Sequence, residues 1–299
     1  PHHRHDMAGI AECRESQYAD SLGRSVERRF PGIHRYAQPG LRGMLAMSGR
    51  WPLGSEVKHG VIEGGAMLYD ASRARNLTAA WFDPGYWSSR GQLDGTARGR
   101  GTTHFVHSRD RRLVLRHYRR GGLVSLLSSD RYIWRGEDQT RAFTEWSITY
   151  RLHRAGLPVP APIAARYVRH GRTYRGDIIT ERLATVGSLA ECLGLGALSI
   201  ITWISVGRCI RRFHDFGVCH ADLNAHNVLL SEDSVYLIDF DRCQLRRAGM
   251  WRDSNVVRLR RSLEKIAYGL PADRFSEADW HALLDGYRQP AAGREPTAA

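Results

Sequence analysis

Lysine is nearly absent from this sequence. Only Lys58 and Lys265 occur among its 44 basic residues, so arginine carries almost all of the positive charge. The formal net charge is +13 and the isoelectric point is about 10.0. Two explanations remain open at this point. One is a genomic bias in composition, and the other is that arginine forks face phosphate or carboxylate groups, which their planar donors suit.

Cysteine pairs, a leader signal and long apolar runs are also missing. The five cysteines form no C-x-x-C pair, which argues against a zinc site or disulfide scaffold and favours the reducing cytosol. The first residues are polar, and we interpret residues 1–6 as a stretch upstream of a true start at Met7. The best apolar run, residues 192–207, is shorter than the ~20 residues of a membrane span. We predict that it forms a buried helix.

Sequence patterning predicts an α+β protein with a β-rich lobe followed by a small helical lobe. Residues 1–60 are rich in Gly, Arg, Pro and Ser, and we expect a low-order extension there. Residues 61–183 form the predicted β-rich lobe, residues 184–290 the helical lobe and residues 291–299 a flexible tail. We expect a hinge near residues 181–188.

Individual elements follow from apolar spacing and turn residues. The β-rich lobe is predicted to hold hairpins 103–107/113–118 and 163–168/174–180, with a helix over 141–155 between them. The helical lobe is predicted to contain a helix over 198–216 and short strands at 228–230 and 235–238. Two closing helices follow, the second capped by Ser276 and Asp279. Asp83-Pro-Gly85 is predicted to be a turn.

The strongest chemical signal is the pair of motifs His220-Ala-Asp-Leu-Asn-Ala-His-Asn227 and Asp239-Phe-Asp241. Phosphoryl transfer needs a carboxylate to accept the proton of an alcohol and oxygen ligands to hold Mg²⁺ against ATP. The kinase signature supplies these groups as H-R-D-L-x-x-x-N followed by D-F-G. By the same spacing we assign Asp222 as the catalytic base, and Asn227 and Asp239 as metal ligands.

Candidate ATP-binding residues precede these motifs. Residues 99–106 fit the glycine-rich pattern G-x-G-x-x-G-x-V except at His104, which makes Gly99, Gly101 and Thr102 candidates for covering the phosphates. Further candidates are Arg116, which stands where the V-A-I-K strand carries its lysine, and Glu145 on the next predicted helix, its expected ion-pair partner.

The segment after Asp239 lacks the features of a protein kinase. It contains no A-P-E motif, only about 60 residues follow, and Asp241 stands in place of the glycine of D-F-G. A peptide substrate is therefore disfavoured, and a small alcohol or a sugar on a larger carrier is favoured.

Several strings in the sequence resemble the 3-deoxy-D-manno-octulosonic acid (Kdo) kinases. The resemblance covers residues 64–288 and rests on Trp81-Phe-Asp-Pro-Gly-Tyr-Trp87, Gly99-Arg-Gly-Thr-Thr103, Leu115-Arg-His-Tyr-Arg-Arg-Gly-Gly-Leu123, Asp130-Arg-Tyr132, Gly156-Leu-Pro-Val-Pro-Ala-Pro-Ile163, the two motifs above with Arg242, and Arg258-Leu-Arg-Arg-Ser-Leu-Glu-Lys265. It implies a protein-kinase-like fold and ATP-dependent phosphorylation of the 4-hydroxyl of Kdo in Kdo-lipid A during lipopolysaccharide core assembly. It also implies a peripheral protein on the cytoplasmic side of the inner membrane, and Arg116 fits the pattern of this family.

Arginine is clustered in a way that suits such substrates. Six arginines lie between Arg109 and Arg120, and seven more between Arg242 and Arg261. Basic surface of this kind would attract the anionic acceptor and an anionic membrane surface, although scattered solvated arginines remain an alternative. The sequence points to no known protein partner.

Three other functions remain open. The acceptor could be another sugar, such as a core heptose or an aminoglycoside-like compound. A pseudokinase is conceivable, although Asp222, Asn227 and Asp239 are all present. The basic isoelectric point would suit a nucleic-acid-binding protein, but we expect no nucleic-acid partner because no recognised motif accompanies the charge.

Overall fold

The computed structural model describes residues 55–98, 102–108, 110–119 and 130–289. Its first part is dominated by an eight-stranded antiparallel sheet in the order β1-β2-β7-β8-β5-β4-β3, with β6 pairing with β8. The strands are β1 (Val57–Ile62), β2 (Gly65–Asp70), β3 (Leu93–Arg98), β4 (Thr102–His107), β5 (Arg112–His117), β6 (Tyr132–Ile133), β7 (Pro162–His170) and β8 (Thr173–Glu181).

Both predicted hairpins are confirmed, as β4–β5 and β7–β8. The predicted β-β-α-β-β order, however, is too short. It omits β1, β2, β3 and the two-residue β6, because β3 carries few apolar residues and the apolar stretches of β2 and β6 are only a few residues long. Strand β1 begins at Val57, within the last residues of the predicted extension. Residues 1–54 and the predicted tail, 291–299, lie outside the described residues.

Each face of the sheet is covered by a different segment. Helix α2 (Arg141–Arg154) packs on one face, where Trp146 is fully buried within an aromatic cluster. The other face is covered by a 3-10 turn, Ala79–Phe82, and helix α1 (Pro84–Ser88). The predicted turn at Asp83 is instead the start of this helix. Asp83 accepts a hydrogen bond from the backbone N–H of Gly85, and proline occupies the first helical turn, where its missing N–H costs little.

Helices dominate the second part, which also contains five short strands. The elements are β9 (Gly187–Ser188), α3 (Leu189–Leu195), α4 (Ile200–Phe216), β10 (Val218–Cys219), β11 (Val228–Leu230), β12 (Val235–Leu237), β13 (Gln244–Leu245), α5 (Trp251–Ala267) and α6 (Glu277–Arg288). The predicted strands and both closing helices are confirmed, including the Ser276–Asp279 capping box.

The single buried helix predicted over residues 192–207 is wrong, because two helices share this run. Helix α3 ends at Leu195, before Gly196, and Ser199 caps the start of α4 by accepting a hydrogen bond from Thr202. Glycine lowers helix propensity and serine competes for the backbone N–H groups, so the break is encoded locally. Helix α4 then packs closely on α6, where a Cβ at Gly207 would lie 1.9 Å from the carbonyl oxygen of Leu283.

The fold is α+β and protein-kinase-like, with the sheet and α2 preceding the helical part. Among the described residues, no helix combines the length and apolar character needed to cross a bilayer. The two motifs predicted to be catalytic fall in the second part, between β10 and β13, whereas Arg116 and Glu145 come from β5 and α2.

Candidate active site

Residues 220–227, which we call the catalytic loop, connect β10 to β11. His220 begins this loop and is almost fully buried. Its Nε2–H donates to the carbonyl oxygen of Ile238 (3.1 Å), and its Nδ1 accepts from the backbone N–H of Asp222 (3.2 Å). Burial lowers the pKa of His220, which favours the neutral ring that this pair of bonds requires. His220 therefore holds the start of the loop against the strand end that precedes Asp239.

Helix α5 also holds this loop. Asn255 accepts from the backbone N–H of His220 through Oδ1 and donates to its carbonyl oxygen through Nδ2, at 3.0 Å each. Two turns later, Ser262 accepts from the backbone N–H of Ala225 (3.1 Å). Asn255 is buried, and leaving its partners unsatisfied would cost roughly 1–3 kcal/mol per group. These side chains fix the loop backbone.

The sequence motifs do not identify Asn255 or Ser262 as residues that hold the loop. They lie 35 and 37 residues from their partners, too far for any local pattern to link them. One signal was available: polar Asn255 precedes Val256, the first residue of the apolar stripe of α5.

Asn227 ends the loop beside the strand that leads to Asp239. Its Nδ2 donates to the carbonyl oxygen of Asp222 (2.8 Å), and its own carbonyl oxygen accepts from the backbone N–H of Ile238 (3.1 Å). Because His220 binds the other backbone group of Ile238, both ends of the loop meet at the residue before Asp239. The structure thus brings the Asp222 and Asp239 segments together through one shared residue.

Asp239 has an unusual backbone conformation. Its φ of 63° lies in the left-handed region, which a residue other than glycine rarely adopts and which Asp tolerates better than most. The next residue, Phe240, is fully buried, with its ring centroid 5.8 Å from Phe213 and 5.3 Å from His220. Packing of Phe240 therefore holds the strained turn, and strain of this kind is typical of functional sites.

Arg116 on β5 bridges two carboxylates. One guanidinium nitrogen, Nη1, donates to Asp239 (2.8 Å), and the other, Nη2, donates to Glu145 on α2. Glu145 also accepts from the hydroxyl of Tyr118 and is 4% exposed, so its charge is compensated by two donors. The ion pair expected between Arg116 and Glu145 is thus present, and it extends to Asp239.

Electrostatics match this geometry. Burial tends to raise the pKa of the Asp239 carboxyl, but the charge and hydrogen bond of Arg116 hold it below its ordinary value. Burial tends to lower the pKa of Arg116, but Glu145 and Asp239 raise it well above its ordinary value. Burial also raises the pKa of Glu145, against the influence of Arg116. Asp239 and Arg116 are a fully charged pair at neutral pH.

Not every candidate can be placed. Gly99 and Gly101 lie outside the described residues, and Thr102 begins β4, paired by backbone with Arg98 of β3. The glycine-rich loop therefore stays a prediction.

Two side chains offer oxygen ligands for a cation. They are the carboxylate of Asp239 and the side-chain amide of Asn227. Because Nδ2 of Asn227 already donates to the loop, Oδ1 is the atom of this amide that can bind a cation. Carboxylate and amide oxygens are the ligands that Mg²⁺ prefers. Within the part of the chain that the structure describes, no group of three or more His, Cys, Asp or Glu could hold a metal on its own. A cation here would therefore need further oxygens, such as those of phosphates.

Comparisons with known proteins support the expected family. A model of the Lipopolysaccharide kinase (Kdo/WaaP) family matches residues 85–287. A 3-deoxy-D-manno-octulosonic acid kinase of Photobacterium profundum is 40% identical over 223 residues, covering 74% of this chain and 94% of that protein. One from Xylella fastidiosa is 47% identical over 204 residues, covering 68% and 81%.

Solved structures with a similar chain path include WaaP in complex with acyl carrier protein, at 21% identity and a TM-score of 0.46, covering 68% of this chain and 82% of that one. The Rio2 kinase of Chaetomium thermophilum is 15% identical with a TM-score of 0.44, covering 79% and 74%. The match of the family model to most of the sequence and the identity to the curated relatives confirm the resemblance in the motifs. The chain belongs to the lipopolysaccharide kinase (Kdo/WaaP) family and is a phosphotransferase.

Proposed function

We propose that this protein transfers the γ-phosphoryl group of ATP, in the presence of Mg²⁺, to the 4-hydroxyl of Kdo in Kdo-lipid A during lipopolysaccharide core biosynthesis. The observation that carries the proposal is the sharing of Ile238: His220 and Asn227 bond to its two backbone groups, so the loop bearing Asp222 is joined to the segment bearing Asp239. The acceptor and the position of transfer are supported by membership of the family and by the activity named for its relatives.

Each residue has a distinct role in this proposal. Asp222, partly exposed on the loop, accepts the proton of the acceptor hydroxyl. Asn227 and Asp239 hold Mg²⁺, which neutralises charge on the phosphate oxygens when it is bound. Arg116 directs its donors towards the phosphates and is oriented by Glu145, while Gly99, Gly101 and Thr102 cover the nucleotide. Residues 61–183 would then form the ATP-covering lobe and residues 184–290 the catalytic lobe.

Membrane association is the second part of the proposal. The protein would bind peripherally to the cytoplasmic face of the inner membrane, where the acceptor is located, without a protein or nucleic-acid partner. Exposed arginines follow Asp239 in the chain and support this idea, namely Arg242, Arg246, Arg247, Arg258 and Arg261. Each Lys or Arg near an anionic surface contributes about 1 kcal/mol of attraction. Equal binding to anionic and neutral vesicles would refute this part.

The direct test is transfer of labelled γ-phosphate from ATP to Kdo-lipid A, comparing the wild type with Asp222→Asn. The variant should lose about 10²–10⁴-fold in rate, the usual contribution of a general base, while keeping its affinity for Mg-ATP. Asp233→Asn, in the exposed turn between β11 and β12, is the matched control and should behave as wild type.

The outcomes separate the parts of the proposal. Undiminished transfer by Asp222→Asn would remove this residue as the base. Absence of transfer by the wild type, combined with slow Asp222-dependent ATP hydrolysis, would retain a kinase and reject Kdo as its acceptor. Phosphorus–proton correlation NMR of the product would locate the phosphate, and a correlation to any Kdo proton other than H4 would reject the proposed position.

A further inference from the structure

Asp241 makes a contact that the catalytic roles above do not use. It occupies the place where D-F-G carries glycine, and its carboxylate faces the guanidinium of Arg141, the first residue of α2. Nε of Arg141 donates to Oδ1 (2.8 Å), and Nη2 forms an ion pair with Oδ2. This two-pronged geometry is the strongest arrangement available to an arginine and a carboxylate. The contact joins two segments 100 residues apart in the chain.

The Arg141–Asp241 pair joins the same two segments as the contacts of Arg116 with Glu145 and Asp239. Glu145 lies one turn after Arg141 on α2, and Asp239 lies two residues before Asp241. Glu145 reaches Asp239 through Arg116, whereas Arg141 reaches Asp241 directly. Helix α2 is therefore tied to the 239–241 segment at two points. Packing on the sheet holds α2 in place, and the two contacts together constrain the position of the 239–241 segment relative to it more than one contact would.

The position of Arg141 is not explained by the stability of its helix. A cation in the first turn is opposed by the helix dipole, and the first turn of α2 has no acidic residue of its own. Asp241 supplies that negative charge from another segment. The rings of Tyr132 and Tyr118 lie 4.8 Å and 5.6 Å from the guanidinium carbon and hold it in place.

Burial distinguishes this pair from a surface ion pair. The side chain of Arg141 is 22% exposed and that of Asp241 is 14% exposed. An ion pair this far removed from water is screened less by salt, and removing one partner leaves the other charge poorly solvated. The pair can therefore hold a conformation that an exposed ion pair would not.

We propose that Arg141 and Asp241 form a positioning pair that sets α2 against the 239–241 segment, and so fixes the distance between Glu145 and Asp239 at the phosphate-binding centre. This inference rests on the proposed function for its catalytic consequence. In place of a glycine that lets the segment move, the chain carries an aspartate that anchors it to α2.

The first test is kinetic and uses Arg141→Gln, Asp241→Asn and the double variant in the full-length protein. Each single variant should lower kcat about 10–100-fold with KM for Kdo-lipid A changed less than about twofold, because the acceptor is not touched. The double variant should be no worse than the singles, since both remove one interaction. Arg141→Lys, which keeps the charge without the fork, should fall between wild type and Arg141→Gln.

A matched control is available in α4. Arg211 donates through Nε to both oxygens of Asp215, at 2.8 Å each, with side chains 15% and 23% exposed. Arg211→Gln should therefore remove an ion pair of similar burial that lies within one helix, while leaving kcat within about twofold. A loss of kcat equal to that of Arg141→Gln would overturn the proposal, because it would reduce the effect to general stability.

The second test needs neither nucleotide nor acceptor. Amide hydrogen exchange of the ligand-free protein should become faster in residues 141–154 and 239–245 of Arg141→Gln and Asp241→Asn, by a similar factor in both segments, with residues 200–216 unchanged. Unchanged exchange and unchanged kcat in both single variants would refute the pair. Faster exchange throughout the chain would also refute it as a positioning device. If the wild type fails to phosphorylate Kdo-lipid A, the proposed function fails while the exchange experiment still decides this inference.

Discussion

The two halves of the candidate site are held by different kinds of interaction. The catalytic loop is fixed by neutral hydrogen bonds from buried side chains, chiefly His220 and Asn255. The segment around Asp239 is fixed by ion pairs with Arg116 and Arg141. Neutral buried bonds depend on geometry and little on salt, whereas ion pairs depend on the charge of each partner.

This difference corresponds to what each half is proposed to do. Asp222 must stay at one distance from the acceptor hydroxyl, and a loop held by buried, uncharged groups keeps it there. Asp239 and Arg116 must meet phosphates and a cation, so they are partly exposed, at 36% and 27%, and carry full charge. Substitutions in either half test this division.

Among the residues that hold the two halves in place, Asp239 should have the greatest effect on activity when its carboxylate is removed. Asp239→Ala should lower kcat/KM for Mg-ATP by about 10³-fold, because a metal ligand supplies several kcal/mol of transition-state stabilisation. Asp239→Asn, which keeps an oxygen for Arg116 but not the charge, should retain the stability of the fold and still lose most of the activity. Mg-ATP affinity measured by titration calorimetry checks this, and wild-type affinity in both variants would remove Asp239 from the metal site.

Breaking the neutral half should affect stability and activity together. Asn255→Leu leaves the two backbone groups of His220 without partners in a buried site, so unfolding should become easier by about 2–4 kcal/mol and kcat should fall at least about 10-fold. The loss of kcat should be the same at low and high salt. Ser254→Ala, at the exposed neighbouring position, is the control. A loss that grew or shrank strongly with ionic strength would contradict the neutral character of this half.

How much of each half can be predicted from the sequence also differs. Asp222, Asn227 and Asp239 are identifiable because local spacing alone specifies their order along a loop and a strand. The contact of Arg116 with Glu145 follows from the same signature. Asn255 and Ser262 are not identifiable in this way, since their contacts depend on how α5 packs, and packing is not encoded in any short window.

The same distinction explains the fold predictions. Both hairpins are identifiable because alternation and turn residues are local signals. The prediction of one helix in residues 192–207 is wrong because it gives overall apolar character more weight than two local signals. Gly196 follows the end of the first helix, and Ser199 caps the start of the second. The Arg141–Asp241 contact cannot be predicted from local sequence, because it joins residues 100 positions apart. The same reason applies to the contacts that Asn255 and Ser262 of α5 make with the loop.

A conservative change in the ionic half should have a moderate effect. Arg116 uses two different nitrogens for two different carboxylates, so a lysine, with one compact ammonium group, satisfies only part of this arrangement. Arg116→Lys should lower kcat/KM for ATP about 10-fold, or about 1.4 kcal/mol, and Arg116→Met should lower it further. Arg112→Lys, an exposed arginine of the same strand, should have no effect. Indifference to Arg116→Lys would place this residue away from the phosphates.

The smallest expected effect concerns pH and acts on α4, where Arg252 of α5 donates to the carbonyl oxygen of His214. His214 of α4 is fully buried, and its Nδ1 pairs with the hydroxyl of Tyr287 (2.7 Å). Burial, reinforced by the charge of Arg252, lowers the pKa of His214 to about 3. In the unfolded chain, His214 has a pKa near 6.5 and binds a proton that it does not bind in the folded protein. The free energy of unfolding therefore falls as pH drops below about 6.5.

The loss from this one group should reach about 0.8 kcal/mol at pH 6, and urea unfolding at several pH values measures it. His214→Gln, which keeps a hydrogen-bonding side chain, should remove this component of the slope. The carboxyl of Asp239, whose pKa is already below its ordinary value, stays ionised throughout that range. Mild acid should therefore lower the overall stability through His214 while the ionic half keeps its charges. An unchanged slope in His214→Gln would show that this histidine is not the group that titrates.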